Sequence, residues 1–216
     1  MREIRNIIFD FGGVILNIDF QKSIEAFHRL GIGHDPAFFS QFGQSEVFDR
    51  LETGHITEKE FYDKIRQSTG VEVTDEALRK AWDALLLDMP EERVELLQKV
   101  RKNYRIFLLS NTNAIHYETY NGVFRAQYGH DFDDLFEKAW WSFRIGMRKP
   151  HTETFLWVLQ DGGLSATETL FIDDTLKHVD GARKVGIKGL HLENIDITSL
   201  FDPEGRLSVP AGINFG

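Results

Sequence analysis

Two short apolar runs near opposite ends of this chain each stop on carboxylates. Ile7-Ile8-Phe9 runs into Asp10, and Leu170-Phe171-Ile172 runs into Asp173-Asp174. Runs of this length, apolar throughout rather than alternating, fit strands buried on both faces, as in a parallel sheet covered by helices. An open α/β sheet binds its ligands at the carboxyl ends of its strands. The two runs therefore predict that Asp10, Asp173 and Asp174 meet at one sheet edge. Carboxylates gathered without an excess of base repel one another unless a cation joins them, and an all-oxygen ligand set suits Mg²⁺.

The rest of the chain supplies the other parts of such a fold. Residues 4–9 read as the first strand, and Gly12-Gly13 as a tight turn that lets backbone approach a ligand. From about residue 20 to 88 no strand candidate occurs. Phe20 to Leu30, Ser45 to Glu52, Thr57 to Ser68 and Thr74 to Leu86 read as amphipathic helices. Thr57-Glu58-Lys59-Glu60 has the form of a capping box, and Thr74-Asp75-Glu76 is a similar start. Pro90 opens a helix to about Lys102. Strands then follow at Arg105 to Leu109, Lys138 to Trp141, Leu170 to Ile172 and Ile187 to Leu192, with helices between them, through Leu159 and over Thr175 to Val185. The tail after Leu200 reads as irregular. Alternation of strand and helix predicts an α/β fold, a three-layer, Rossmann-like parallel sheet. Its core takes residues 1–16 and 89–216, with an α-helical cap domain inserted at 17–88.

Composition narrows the function. A formal charge of −9 over 216 residues gives no reason to expect nucleic acid or an anionic membrane as partner. With no cysteine there is no disulfide, thiolate metal site or cysteine nucleophile, which fits a reducing cytoplasm. The apolar run at Met1 to Phe9 is too short for a signal peptide and is broken by Asp10, and no window approaches a membrane span. A cytoplasmic location is the expectation.

Four polar blocks lie where strands end or helices begin, and each alone has an ordinary structural explanation. Asp10 could cap or turn the chain, Ser110-Asn111-Thr112 could start a helix, and Lys149 before Pro150 could be a solvated lysine. Asp173-Asp174 is harder to explain so, because adjacent acids leaving a buried strand cost energy without a cation. Taken together and in order, the strings Ile8-Phe9-Asp10-Phe11-Gly12-Gly13-Val14, Leu109-Ser110-Asn111-Thr112-Asn113, Gly146-Met147-Arg148-Lys149-Pro150 and Phe171-Ile172-Asp173-Asp174 resemble the haloacid dehalogenase-like hydrolase superfamily, most members of which are phosphatases. The helical insertion resembles the small helical cap of one of its subfamilies. The first and third strings resemble a branch of sugar-phosphate phosphatases that includes α-glucose-1-phosphate phosphatase.

The resemblance implies roles. Asp10 would be the nucleophile, forming an aspartyl-phosphate. Asp10, the Gly12 carbonyl and Asp174 would hold Mg²⁺, with Asp173 assisting through water. Ser110, the Asn111 N–H, Lys149 and the Gly12 turn would hold the phosphoryl group, Lys149 also offsetting its charge. Two positions depart from the pattern. Gly12 stands where most of these phosphatases carry a second Asp as general acid and base, and His178 stands at the usual third acidic or Asn position. Asp19 is a candidate replacement acid, although a helix N-cap explains it equally well, and a loop-supporting role is the expectation for His178. The expected activity is Mg²⁺-dependent hydrolysis of a small phosphorylated metabolite, a sugar phosphate such as a hexose 1-phosphate. The alternatives are a metal-independent 2-haloacid dehalogenase, whose relatives typically carry serines at the Asp173-Asp174 positions, and a non-catalytic binding protein. The cap aromatics Phe38, Phe39, Phe42, Phe48, Phe61, Tyr62 and Trp82 are expected mostly to pack, with one or two facing substrate. Hinges are expected near Leu16–Asp19 and Asp88–Pro90.

Overall fold

The computed structural model describes residues 3–33 and 46–208. The elements run β1 (Asn6–Phe9), α1 (Phe20–Arg29), α2 (Glu46–Glu52), α3 (Glu58–Thr69), α4 (Asp75–Asp83), α5 (Glu91–Val100), β2 (Arg105–Ser110), α6 (Ala114–Tyr128), β3 (Lys138–Trp141), α7 (Ser142–Ile145), α8 (Thr152–Gly162), β4 (Thr169–Asp173), α9 (Leu176–Arg183) and β5 (Lys188–His191). The five strands form one sheet in the order β3-β2-β1-β4-β5, every pairing parallel. β1 lies at its centre, Ile7 facing Ile106 on one side and Leu170 on the other.

Strand alternation divides the apolar residues between two faces. Ile7, Phe9, Leu108 and Ile172 pack with Val94, Leu97 and Val100 of α5 and Tyr120 and Phe124 of α6. Ile8, Phe107, Leu109 and Phe171 pack with Phe155 and Val158 of α8 and Ala182 of α9. The result is the expected helix–sheet–helix arrangement. Register also aligns the strand ends. Asp10 follows β1 and donates its N–H to Ile172 O at 2.9 Å, while Ser110 and Asp173 are the last residues of β2 and β4.

Helices α1 to α4 pack around their own cluster, which includes Phe27, Leu51, Phe61, Tyr62, Ile65, Leu78 and Trp82. The capping box at Thr57 is formed, with Glu60 N donating to Thr57 Oγ1 at 3.2 Å and Thr57 N to Glu60 Oε2 at 2.7 Å, and Thr74 caps α4. Phe48 and Phe61 meet the Trp82 ring at centroid distances of 5.2 and 5.0 Å, so these three do pack. Phe38, Phe39 and Phe42 lie outside the described residues. Helix α4 stops at Asp83 rather than Leu86 because Leu85 and Leu86 pair with the other linker instead. Asp19 N donates to Leu85 O at 2.9 Å, Leu87 N to Asn17 O and Asn17 N to Asp88 O at 3.0 Å each. The two linkers of the insertion thus form a short antiparallel pair. The segment after Leu200 is irregular but tied down: Phe201 bridges Leu207, and Asn103 Nδ2 donates to Glu204 O at 2.8 Å. Among the described residues no helix is long and apolar enough to cross a membrane.

Candidate active site

Lys149 is the centre of the site. Its ammonium, only 1% of the residue being exposed, donates to Asp10 Oδ1 and Asp173 Oδ2, each at 2.6 Å. A solvated surface lysine is therefore excluded. The long side chain reaches this depth because the backbone behind it is fixed. Lys149 N donates to Asn111 Oδ1 and Asn111 Nδ2 donates to Lys149 O, both at 2.9 Å, and Thr154 Oγ1 holds Arg148 O at 2.8 Å. The side chain of Asn111 thus locks the lysine loop to the end of β2. The helix cap in this block is Asn113, which accepts from His116 N at 3.1 Å, and not Ser110 to Thr112. Ser110 is buried and lines a cavity together with Gly12 and Asn111.

Asp10, Asp173 and Asp174 converge as expected: one ligand atom from each lies within 4.8 Å of the others. Asp173 is fully buried with both oxygens in use. Besides Lys149 it accepts from Thr175 N at 2.8 Å, and His178 Nδ1 lies 3.1 Å from each oxygen. His178 therefore holds Asp173 rather than supporting a surface loop. Burial raises the Asp10 carboxyl above its ordinary range, and the neighbouring Asp173 charge raises it further against the pull of Lys149. Asp173 is also penalised by burial, but Lys149 and then His178 outweigh this and hold it low. Asp174 is raised by burial and by Asp173.

Three carboxylates and one lysine leave a net −2 when all are ionised (3 × −1 and +1). A divalent cation balances that charge, and oxygen donors suit Mg²⁺. The turn is shaped to Asp174 as well. Gly13 has φ +78°, and a Cβ there would lie 2.7 Å from Asp174 Cγ and closer still to Oδ2. At Gly12 a Cβ would meet Ile18 Cδ1 at 3.1 Å, so an acid at that position would require Ile18 to give way. Asp19 spends its carboxylate on the N-terminus of α1, accepting from Gln21 N at 2.9 Å.

A cavity of about 350 Å³ opens between this edge and the helical insertion. Gly12, Ser110 and Asn111 line it from the sheet, and Phe20, Phe48 and Trp82 from the helices. Two cap acids that sequence reasoning missed reach the core here. Arg148 pairs with Asp49 and, at 3.0 Å, with Glu52. The only sequence signal for this was a second cation beside Lys149.

Fold and site together define a hydrolase-type α/β centre in which a buried lysine serves two aspartates beside a cation-ready third. The profile of the haloacid dehalogenase-like hydrolase family matches residues 4–186, and the chain belongs to that family. It is 30% identical, over 88% of its length and 93% of the relative's, to a D-ribitol-5-phosphate phosphatase of Bacteroides thetaiotaomicron. It is 27% identical to a sesquiterpene phosphatase of Aspergillus oryzae, over 86% of this chain and 88% of that one. A crystal structure of a family enzyme from Bacteroides thetaiotaomicron, in complex with magnesium and inorganic phosphate, superposes with a TM-score of 0.84 at 35% identity, covering 92% of this chain and 100% of the other.

Proposed function

We propose that this protein is a Mg²⁺-dependent phosphatase of a small phosphorylated metabolite, a sugar or sugar-alcohol phosphate, working through an aspartyl-phosphate on Asp10. The observation that carries this reading is the buried Lys149 bridging Asp10 and Asp173 beside Asp174 at the sheet edge. The phosphatase relatives and the magnesium–phosphate complex of the family enzyme support it.

Asp10, the Gly12 carbonyl and Asp174 would hold Mg²⁺, with Asp173 behind them. Bound there, the ion supplies charge neutralisation for the phosphoryl group and keeps Asp10 ionised. Lys149 orients the Asp10 carboxylate and offsets charge on the transferring group. Ser110 and the Asn111 N–H hold phosphoryl oxygens. Asp10 attacks phosphorus, the leaving oxygen departs, and water then cleaves the acyl phosphate and regenerates the carboxylate. Residues 1–16 and 89–216 form the catalytic core in this reading. Residues 17–88 form a cap that closes over the cavity and hinges where the two linkers pair. A cytoplasmic setting completes it.

The 2-haloacid dehalogenase alternative would leave three carboxylates facing one lysine with no cation, which is costly. A non-catalytic role would leave the buried Lys149–Asp10 pair without a purpose. The test is a panel of phosphorylated metabolites assayed with Mg²⁺ and again with EDTA. Metal-dependent release of phosphate from sugar or sugar-alcohol phosphates is expected, and phosphate release unaffected by EDTA would refute the reading.

A further inference from the structure

Helix α1 presents one stripe of side chains to the cavity. Phe20, Ser23, Ile24 and Phe27 stand three or four positions apart and so share a face, and all four line the cavity that Gly12, Ser110 and Asn111 bound from the sheet. Ser23 and Phe27 are buried within the insertion, but the first residue of the stripe is not: Phe20 remains 65% exposed. Among the described residues six large apolar side chains are exposed, and Phe20 is the one that lines this cavity; Leu87, Val123, Leu156, Trp157 and Leu176 do not. A single exposed apolar side chain is ordinary on a surface. On the wall of a binding cavity it is apolar area for a ligand to cover.

The ring stands on a pinned backbone. Asp19 caps the helix by accepting from Gln21 N at 2.9 Å, Asp19 N donates to Leu85 O at 2.9 Å, and Ile18 bridges Leu86. A platform fixed before binding loses little freedom when it is covered. The polar side chains of the same walls are already committed to the protein. Ser23 Oγ donates to Trp82 O at 2.8 Å, and His116 Nε2 donates to the same carbonyl at 3.2 Å. Asn113 accepts from His116 N, both amide atoms of Asn111 hold the Lys149 backbone, and Glu52 is paired with Arg148 at 3.0 Å. What the helical walls offer a leaving group is therefore chiefly apolar surface, from Phe20, Ile18, Ile24 and Leu86.

We infer that Phe20 is a specificity-determining residue for the leaving group, its ring taking the C–H face of the carbon chain or ring that carries the phosphate. The inference rests on the phosphatase reading above. A sugar or sugar-alcohol phosphate can lay such a face on Phe20 while its hydroxyls turn to water. The site then favours phosphate esters whose leaving group is long enough to reach Phe20 over those with a leaving group of one or two carbons. Covering about 55 Å² of the ring at about 25 cal/mol per Å² corresponds to about tenfold in affinity.

The experiment measures kcat and KM with Mg²⁺ for D-ribitol 5-phosphate, p-nitrophenyl phosphate and acetyl phosphate, whose leaving group is too short to reach the ring. The proteins are the wild type, Phe20→Ala, Phe20→Tyr and the control Leu156→Ala, which removes an exposed apolar side chain of α8 away from the cavity. Phe20→Ala should raise KM for ribitol 5-phosphate and p-nitrophenyl phosphate, relative to KM for acetyl phosphate, by about tenfold, with the loss in KM rather than kcat. Phe20→Tyr keeps the ring and should hold that ratio within about twofold of the wild type, as should Leu156→Ala. A purely structural role would raise KM for all three substrates by the same factor, and that result, or no change in any of them, would overturn the inference. If a lowered thermal midpoint shows that Phe20→Ala misfolds, Phe20→Leu takes its place, and a wild-type ratio in that variant overturns the inference equally. Wild-type enzyme that releases phosphate from none of the three would sink the phosphatase reading and the inference with it, whereas Mg²⁺-dependent turnover with an unaltered ratio in Phe20→Ala sinks the inference alone.

Discussion

Replacing Gly13 with alanine adds a single methyl group at the tightest point of the site. The new Cβ would lie 2.7 Å from Asp174 Cγ, against an ordinary carbon–carbon contact of about 3.5 Å. The Asp174 carboxylate must therefore retreat by roughly 1 Å. The φ of +78° adds about 1–2 kcal/mol of left-handed strain for a residue with a Cβ. Part of that is returned by the stiffer unfolded chain, about 0.4–1 kcal/mol. Stability should fall by roughly 1 kcal/mol, whereas the metal response should fall much further. A 1 Å displacement of a positioning group can cost about 10²-fold in rate. Gly129 supplies the control: it has the same φ of +78°, but a Cβ there would meet no heavy atom within 4 Å. Mg²⁺ titrations of p-nitrophenyl phosphate turnover and urea denaturation in EDTA should be run on both alanine variants. The two should lose similar stability, but only Gly13→Ala should need at least about tenfold more Mg²⁺ for half-maximal rate. Equal Mg²⁺ responses in the two variants would refute the assignment of Asp174 as a metal ligand.

Lys149→Met leaves Asp10 and Asp173 buried without their cation and should cost roughly 3–5 kcal/mol in urea denaturation without metal, along with nearly all turnover; wild-type stability would contradict the geometry. Burial lowers His116 from 6.5 to about 4, its Nε2 lying 3.2 Å from Trp82 O. The unfolded chain therefore takes up the extra proton, and the stability His116 contributes is complete above pH 6.5 and lost as pH falls toward 4, by roughly 3 kcal/mol at most. His116→Asn should flatten that part of the stability–pH curve, and an unchanged slope would rule the residue out. With glycine at position 12, turnover should depend steeply on leaving-group pKa across aryl phosphates, and hexose 1-phosphates should outrun the 6-phosphates; a flat dependence would mean that another residue donates the proton.

The strand ends were legible because buried parallel strands are apolar throughout and their polar stops are conspicuous. Asp10, Ser110 and Asp173 all fall at the same sheet edge for that reason. The capping signals at Thr57 and Thr74 were legible because they are local. What sequence could not reveal was long-range. A Lys-Pro before a helix is ordinarily solvated, so Lys149 was legible only through the ordered set of four motifs, and its bridging of Asp10, 139 positions away, and Asp173 appears only in the fold. The Asn111 clamp on Lys149 and the Glu52–Arg148 pair likewise join segments with no mutual pattern. His178 and Asp19 show the other limit. Only side-chain direction decides that His178 holds Asp173 while Asp19 caps α1.

The central claim is that Asp10 carries the phosphoryl group. Wild-type enzyme mixed with Mg²⁺ and substrate, quenched in acid within the first turnover and mapped by peptide mass spectrometry, tests it most directly. The account predicts one phosphoryl group on the peptide bearing Asp10, absent from Asp10→Asn, which should also lack steady turnover. Wild-type turnover by Asp10→Asn, or a phosphoryl group found on another residue, would contradict it.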